Sequence, residues 1–325
     1  MSEHDENRPC NLPDEVNKLI RQQKKGWELA RKNYDGLKSV KTKTFDFEGF
    51  KIIAQFNPER IRSSAAKTDS KSIRKRPCFL CEKNKPQEQA GIDFNSNYSI
   101  LINPFPIFSE HLTIPLKEHL PQEIHPYFHD LMKISKKLPQ FTFFYNGPKC
   151  GASAPDHFHF QACTKNQIPI EMENPGISTA YGDLLFQDQS STITAIGNGY
   201  LRKLIHISSK SEQDLIHHFK IIINSLAERG QEGEPMLNLL ANFEGDRWEI
   251  ILFPRDQQRP KQFFAEGNDQ MLISPASVEM GGLIILPRKE DFEKLTKDDL
   301  KDIYNQVSMN DEDFEQLKEK LEVRL

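Results

Sequence analysis

The chain has 325 residues, of which 37% are hydrophobic and 28% charged, with a formal net charge of -4. That is enough apolar material for a sizeable core in one or two domains, and it excludes a disordered chain. The acidic balance argues against a broad nucleic-acid surface, and no apolar run approaches the roughly 18 residues of a membrane span.

The first ten residues are charged and polar, unlike a signal peptide. The cysteines are Cys10, Cys78, Cys81, Cys150 and Cys163. An odd number without a secretory signal points to a reducing, cytoplasmic setting, where a close pair such as Cys78 and Cys81 more often holds metal than forms a disulfide. Residues 11–35 carry an apolar stripe among charges and predict one or two helices. FEGFKIIAQF (47–56) is strand-like, with a turn at Glu48-Gly49. A basic run follows: Arg60, Arg62, Lys67, Lys71, Arg74, Lys75 and Arg76, either a solvated loop or a loop facing phosphate.

Residues 98–108 and 111–116 read as two strands joined by a proline-rich turn, and 120–138 as a helix opening at Pro121. Residues 141–147 read as a strand, 149–155 as a Gly/Ser/Pro loop, and 157–163 as a strictly alternating strand. The stretch 164–195 has few periodic cues and is expected to be loops with short elements. Then come a strand at 203–208, a helix at 214–230 closing on Gly230, strands at 238–243 and 247–255 around a Gly245 turn, a strand at 281–288, and one or two charged C-terminal helices. Strands and helices alternate without a βαβ rhythm, so the fold class is α+β with mainly antiparallel sheet. Asp156–Gln161 can be laid over Asp246–Ile251, with Glu249 where His159 stands, and His111–Pro115 over Gly282–Pro287. These echoes divide the chain into a catalytic half, 1–195, and a degenerate copy, 196–325.

The strongest chemical signal is Gly151-Ala-Ser-Ala-Pro-Asp-His157-Phe-His159-Phe-Gln161. With a strand period of two, His157, His159 and Gln161 share a face, while Phe158 and Phe160 anchor the other in the core. Two imidazoles and an amide beside a glycine-bearing loop of backbone N–H groups make a phosphate cradle. A neutral imidazole is nucleophilic near pH 7, and its attack on phosphorus gives a phosphoramidate that a second nucleophile resolves.

These residues resemble the histidine-triad and galactose-1-phosphate uridylyltransferase superfamily, most nearly its GDP-hexose phosphorylase branch. The likeness extends through Gln55–Arg60, Arg74–Pro77, Asn103–Gln122, Tyr145–Gly147 and Ser274–Lys289. It implies antiparallel sheets with flanking helices in a pseudo-duplicated arrangement. It also implies a ping-pong reaction in which His159 becomes nucleotidylated, with Gln161 on the transferred phosphate and Gly151 and Ser153 on its oxygens. Asn57, Arg60, Asn103 and Asn146 are then contacts for ribose, base or phosphate. The substrate implied is a nucleotide-sugar or dinucleotide, the acceptor phosphate or a sugar phosphate, and a homodimer is an open expectation. The rival readings are a hexose-1-phosphate uridylyl- or adenylyltransferase, a dinucleoside polyphosphate phosphorylase, a silent nucleotide-binding protein and, least favoured, a zinc-stabilised interaction module.

The cysteine pair departs from the phosphorylase branch and resembles the uridylyltransferases. By that resemblance Cys78, Cys81, His119 and His157 bind structural zinc, with His111 a rival for the third position.

Overall fold

The computed structural model describes residues 11–61, 73, 75–230 and 232–325. Cys10 and Arg62, Lys67, Lys71 and Arg74 of the basic run lie outside them.

The chain opens with helices α1 (Leu12–Gly26) and α2 (Glu28–Gly36). Asn11 caps the first by accepting the Asp14 N–H, with Asp14 and Glu15 in the first turn and Lys24 and Lys25 in the last, each sign matched to the helix dipole. Strands β1 (Lys41–Phe47) and β2 (Phe50–Phe56) form a hairpin whose turn needs the positive φ of Gly49, +74°. Then follow β3 (Gly91–Phe94), β4 (Tyr98–Ile102), β5 (His111–Pro115), helix α3 (Phe128–Lys137), β6 (Phe141–Asn146) and β7 (His159–Thr164). The second half continues with α4 (Pro169–Tyr181), β8 (Gly182–Gln187), β9 (Ser191–Ile196), β10 (Leu204–Ser209), α5 (Glu212–Ala227), β11 (Leu237–Glu244) and β12 (Arg247–Pro254). Short helices α6 (Lys261–Phe264) and α7 (Ser277–Met280), strand β13 (Leu283–Leu286) and helices α8 (Lys289–Lys294), α9 (Lys297–Val307) and α10 (Asp311–Arg324) complete it. No helix among the described residues is long and apolar enough to cross a membrane.

Ten strands form one antiparallel sheet in the order β3-β4-β5-β7-β6-β11-β12-β10-β9-β8, and β1-β2-β13 form a second. The large sheet is pseudo-symmetric about the β6–β11 junction: β7, β5, β4 and β3 run out on one side, β12, β10, β9 and β8 on the other. Phe144 pairs with Leu240 across the junction, Gln161 lies opposite Phe144, and Ile251 lies opposite Leu240. A two-fold axis through the Phe144–Leu240 pair therefore sets Glu249 where His159 stands, as the first sequence echo predicts. The second echo fails. The counterpart of β5 is β10, whereas β13 leaves the large sheet and pairs parallel to β2.

Each face of the large sheet carries its own core. Helices α1, α3, α5 and α10 pack on one face through Val16, Leu131, Phe219 and Phe314, against Phe158 and Phe160 among others. The second sheet and the C-terminal segment cover the other through Ile52, Ile273, Ile284 and Tyr304, against Phe144, Leu240, Ile251 and Phe253. Alternation along β7 sends Phe160 to the first core and Cys163 to the second, with Gln161 between.

Two predicted segments differ. Residues 164–195 hold helix α4 and two strands. The Pro175-Gly176 pair inside the helix hides its period, while buried Ile168, Ile170 and Ile177 hold it in place. The helix expected over 120–138 begins only at Phe128, after a 3-10 turn at His125–Tyr127. Residues 120–124 are held irregular because Gln122 and Ile124 are tied to other elements.

Candidate active site

His159 opens β7, is 3% exposed, and is clamped through its own backbone. Gln122 Oε1 accepts the His159 N–H at 2.8 Å, and Gln122 Nε2 donates to the His159 carbonyl at 3.0 Å and the Asn146 carbonyl at 3.1 Å. The His159 Nδ1 lies 2.9 Å from the His157 carbonyl, which can only accept, so the proton sits on Nδ1 and the Nε2 lone pair is free. Burial pushes the imidazole pKa down to about 4, which keeps the ring neutral at pH 7.

His159 lines a cavity of about 590 Å³, in the range of small-molecule sites. Gln161, Asn103, Asn146, Gly151, Ser153 and Arg60 share that lining. Asn57 does not: it is 2% exposed and turned to Gln55 and the Pro106 carbonyl. His157 does not line it either. It precedes β7, and its Nδ1 lies 3.2 Å from Cys78 Sγ, so the shared face predicted for His157, His159 and Gln161 holds only for the last two. Gly151 sits at φ +98°, and a Cβ there would come within 2.6 Å of the Ala276 Cβ; only glycine lets this loop pass the C-terminal segment. The Asn146 oxygen accepts the Ser277 N–H at 2.9 Å, which seats that segment as a cavity wall.

Other residues complete the wall, among them Arg76 from the basic run. Trp27, Phe79, Phe105 and Ile107 are apolar, and Arg76, Gln258, Arg259 and Glu279 are polar. Arg60 donates to the Phe105 carbonyl at 2.7 Å, and Arg76 to the Ser153 carbonyl at 2.9 Å. Arg60 Nε and Arg76 Nη1 are buried without a partner among the described residues. Such open N–H groups on two cations at a cavity wall are chemically suited to an anion, beside the Asp156 carboxylate that already lies 3.5 Å from Arg76. Burial lowers the Arg60 pKa to about 10, so it keeps its charge at neutral pH.

Behind the cavity Cys78, Cys81, His119 and His157 converge, with one ligand atom from each within 4.8 Å of the others. Cys81 Sγ lies 3.2 Å from His119 Nδ1 and 3.6 Å from His157 Nδ1. Donors around a tetrahedral zinc with bonds of about 2.0–2.3 Å stand roughly 3.3–3.8 Å apart, so the set fits a metal. His157 Nε2–H donates to the Leu116 carbonyl at 2.7 Å, which turns the Nδ1 lone pair toward the thiols. His111, the rival ligand, is not in the cluster: its Nε2 lies 3.1 Å from Gln161 Oε1.

His111 is fully buried, and burial, followed by the nearby Arg60, holds its pKa down to about 3. Below pH 6.5 the unfolded chain binds a proton at this residue and the folded chain does not. Stability should therefore fall as pH drops from about 6.5 toward 3, by up to about 1.4 kcal/mol per pH unit. Urea titrations of wild type and His111→Asn at pH 7 and pH 5 should show the wild type losing about 2 kcal/mol relative to the variant. A constant difference would refute the buried neutral histidine.

The sheet order, its pseudo-two-fold and the placement of His159 define a histidine-triad, uridylyltransferase-like fold. Similar solved structures include yeast Ap4A phosphorylase Apa2 in complex with AMP, at 16% identity and TM-score 0.57 over 91% of this chain and 96% of that one. The same enzyme in complex with Ap4A gives TM-score 0.58 at 16% identity over 90% and 97%. An ADP-glucose phosphorylase from Arabidopsis thaliana with bound ADP-glucose aligns at 15% identity over 83% and 100%, with TM-score 0.35. No curated protein matches in sequence. Residues 180–322 match the family model "GDPGP1-like, C-terminal domain", and residues 19–164 match "Domain of unknown function (DUF4922)". The chain therefore carries a GDPGP1-like C-terminal domain over residues 180–322 and shares the fold of the yeast Ap4A phosphorylase.

Proposed function

We propose that this chain is a nucleotidyltransferase of phosphorylase type, acting on a nucleotide-sugar such as a GDP-hexose through a nucleotidyl-His159 intermediate. The observation that carries the reading is the buried His159 imidazole, with Nδ1–H fixed on the His157 carbonyl and its Nε2 lone pair left for a cavity whose wall also holds Arg60 and Arg76. Nε2 attacks the α-phosphorus, the bond from phosphorus to the bridging oxygen breaks, and a sugar 1-phosphate leaves. Inorganic phosphate then attacks the same phosphorus, the N–P bond breaks, and a nucleoside diphosphate forms. Arg60, Arg76 and Gln161 offset the charge that develops on the phosphoryl oxygens, and the imidazolium formed on attack keeps its Nδ1–H on the carbonyl.

Zinc is the metal this Cys₂His₂ set suits best. When bound it would be structural, joining the segment that carries Arg76 and Phe79 to His157, two residues from the nucleophile. The division into a catalytic half, 1–195, and a degenerate half, 196–325, accords with Glu249 standing in the place of His159.

The likeness to an Ap4A phosphorylase favours one second reading, phosphorolysis of a dinucleoside polyphosphate. Both readings face one test. The protein is incubated without acceptor with GDP-, UDP- and ADP-hexoses and with diadenosine polyphosphates, and its intact mass is read at neutral-to-basic pH. An added GMP with a GDP-hexose alone supports the first reading, and an added AMP from the dinucleotides supports the second. No adduct with any donor on folded protein overturns covalent nucleotidyl transfer.

A further inference from the structure

The turn between β4 and β5 does more than connect them. Asn103 Oδ1 accepts the Phe105 N–H at 2.9 Å, so the nitrogen end of that side chain faces away, toward Gln161, with Nδ2 3.3 Å from Gln161 Oε1. His111 Nδ1 accepts the Ile107 N–H at 3.2 Å. A neutral imidazole bonded in this way carries its proton on Nε2, and that atom is 3.1 Å from the same Gln161 Oε1. Two N–H donors of fixed orientation thus converge on one amide oxygen. A flipped Gln161 would set its own N–H₂ against both and leave the fully buried His111 Nε2–H without an acceptor. The Gln161 nitrogen is therefore the end left for the cavity, on the strand face that carries His159.

We propose that Asn103 and His111 are positioning residues that lock the Gln161 amide with its N–H₂ aimed into the cavity, so that two backbone N–H groups of the 103–107 turn decide which end of Gln161 meets the phosphate. This rests on the nucleotidyl-transfer reading above. A donor locked in advance needs no reorganisation as charge develops on the phosphoryl oxygens, so it acts mainly on the transition state. The lock also gives His111 a role other than the metal ligation its place in the sequence invites.

Two substitutions separate the lock from simple support of the turn. In His111→Asn the side-chain oxygen takes the place of Nδ1 and keeps the Ile107 N–H, while the donor to Gln161 is gone. In His111→Gln the side-chain nitrogen reaches the place of Nε2 and keeps that donor, while the Ile107 bond is lost. Single-turnover labelling of His159 should slow roughly 10- to 100-fold in His111→Asn, with nucleotide affinity nearly unchanged. His111→Gln should label at least tenfold faster than His111→Asn even if it melts lower. Adding His111→Asn to Gln161→Ala should slow labelling no further than Gln161→Ala does alone.

The opposite order, with His111→Gln slow and His111→Asn near wild type, would make His111 a support of the turn and overturn the lock; so would effects that multiply in the double variant. If no donor labels the wild type, the nucleotidyl-transfer reading fails, and nitrogen–proton NMR correlations of the imidazole judge the lock alone. A His111 protonated on Nε2 sustains it, and one protonated on Nδ1 overturns it.

Discussion

Replacing His159 with glycine should abolish the nucleotidyl adduct and lower phosphorolysis by roughly 10⁴-fold or more, as expected when the covalent nucleophile is removed. The effect should be chemical. The Gln122 clamp bonds the backbone N–H and carbonyl of residue 159, which glycine retains, and Phe158 and Phe160 still anchor the strand. The fold should lose only about 1 kcal/mol from glycine in a strand, plus what the missing ring contributed to packing. Nucleotide binding should persist, because Arg60, Arg76 and the Gly151 loop are untouched. Rapid-quench turnover, intact mass and a nucleotide titration on one preparation would check all three points. Turnover within tenfold of wild type would mean that phosphate attacks the nucleotide directly and that His159 only positions it.

The second large effect is expected at the metal cluster. Native protein should contain about one zinc per chain, and Cys78→Ser with Cys81→Ser should contain none. Removing a built metal site from a fold of this size should cost about 4 kcal/mol, or roughly 6 °C in melting temperature. The loss should reach substrate binding as well. Arg76 stacks 4.9 Å from the Phe79 ring, and both belong to the segment the metal would tie to His157. KM should therefore rise along with the stability loss, and a chelator should reproduce both changes in wild type. A native protein without metal, melting where the serine variant melts, would refute the site.

How much of this could be read beforehand depended on whether a feature was local. The α+β class, both hairpin turns, the N-terminal helices and the alternation that buries Phe158 and Phe160 while presenting His159 follow from short-range periodicity and turn chemistry. Helix α4 was missed for the same reason: its Pro-Gly pair contradicts the local pattern, and long-range burial of Ile168, Ile170 and Ile177 overrides it. His157 is the instructive error. A period of two set it beside His159, but the strand begins only at residue 159, and four donors from three separate segments draw the histidine behind the cavity.

By itself, then, the sequence determined the fold class, the strand that carries His159 and Gln161, the four residues of the Cys/His cluster and the echo that matches Glu249 to His159. Motif spacing and side-chain chemistry suffice for those. Tertiary structure alone decided that Asn57 is turned away from the cavity, that His111 lies against Gln161 and outside the Cys/His cluster, that Gln122 clamps the His159 backbone, and that Gln258 and Arg259 line the site. Those assignments turn on which of several possible partners a polar side chain meets. That choice is made by pairing between segments scores of residues apart, because a buried donor or acceptor must be satisfied by whatever the fold brings to it.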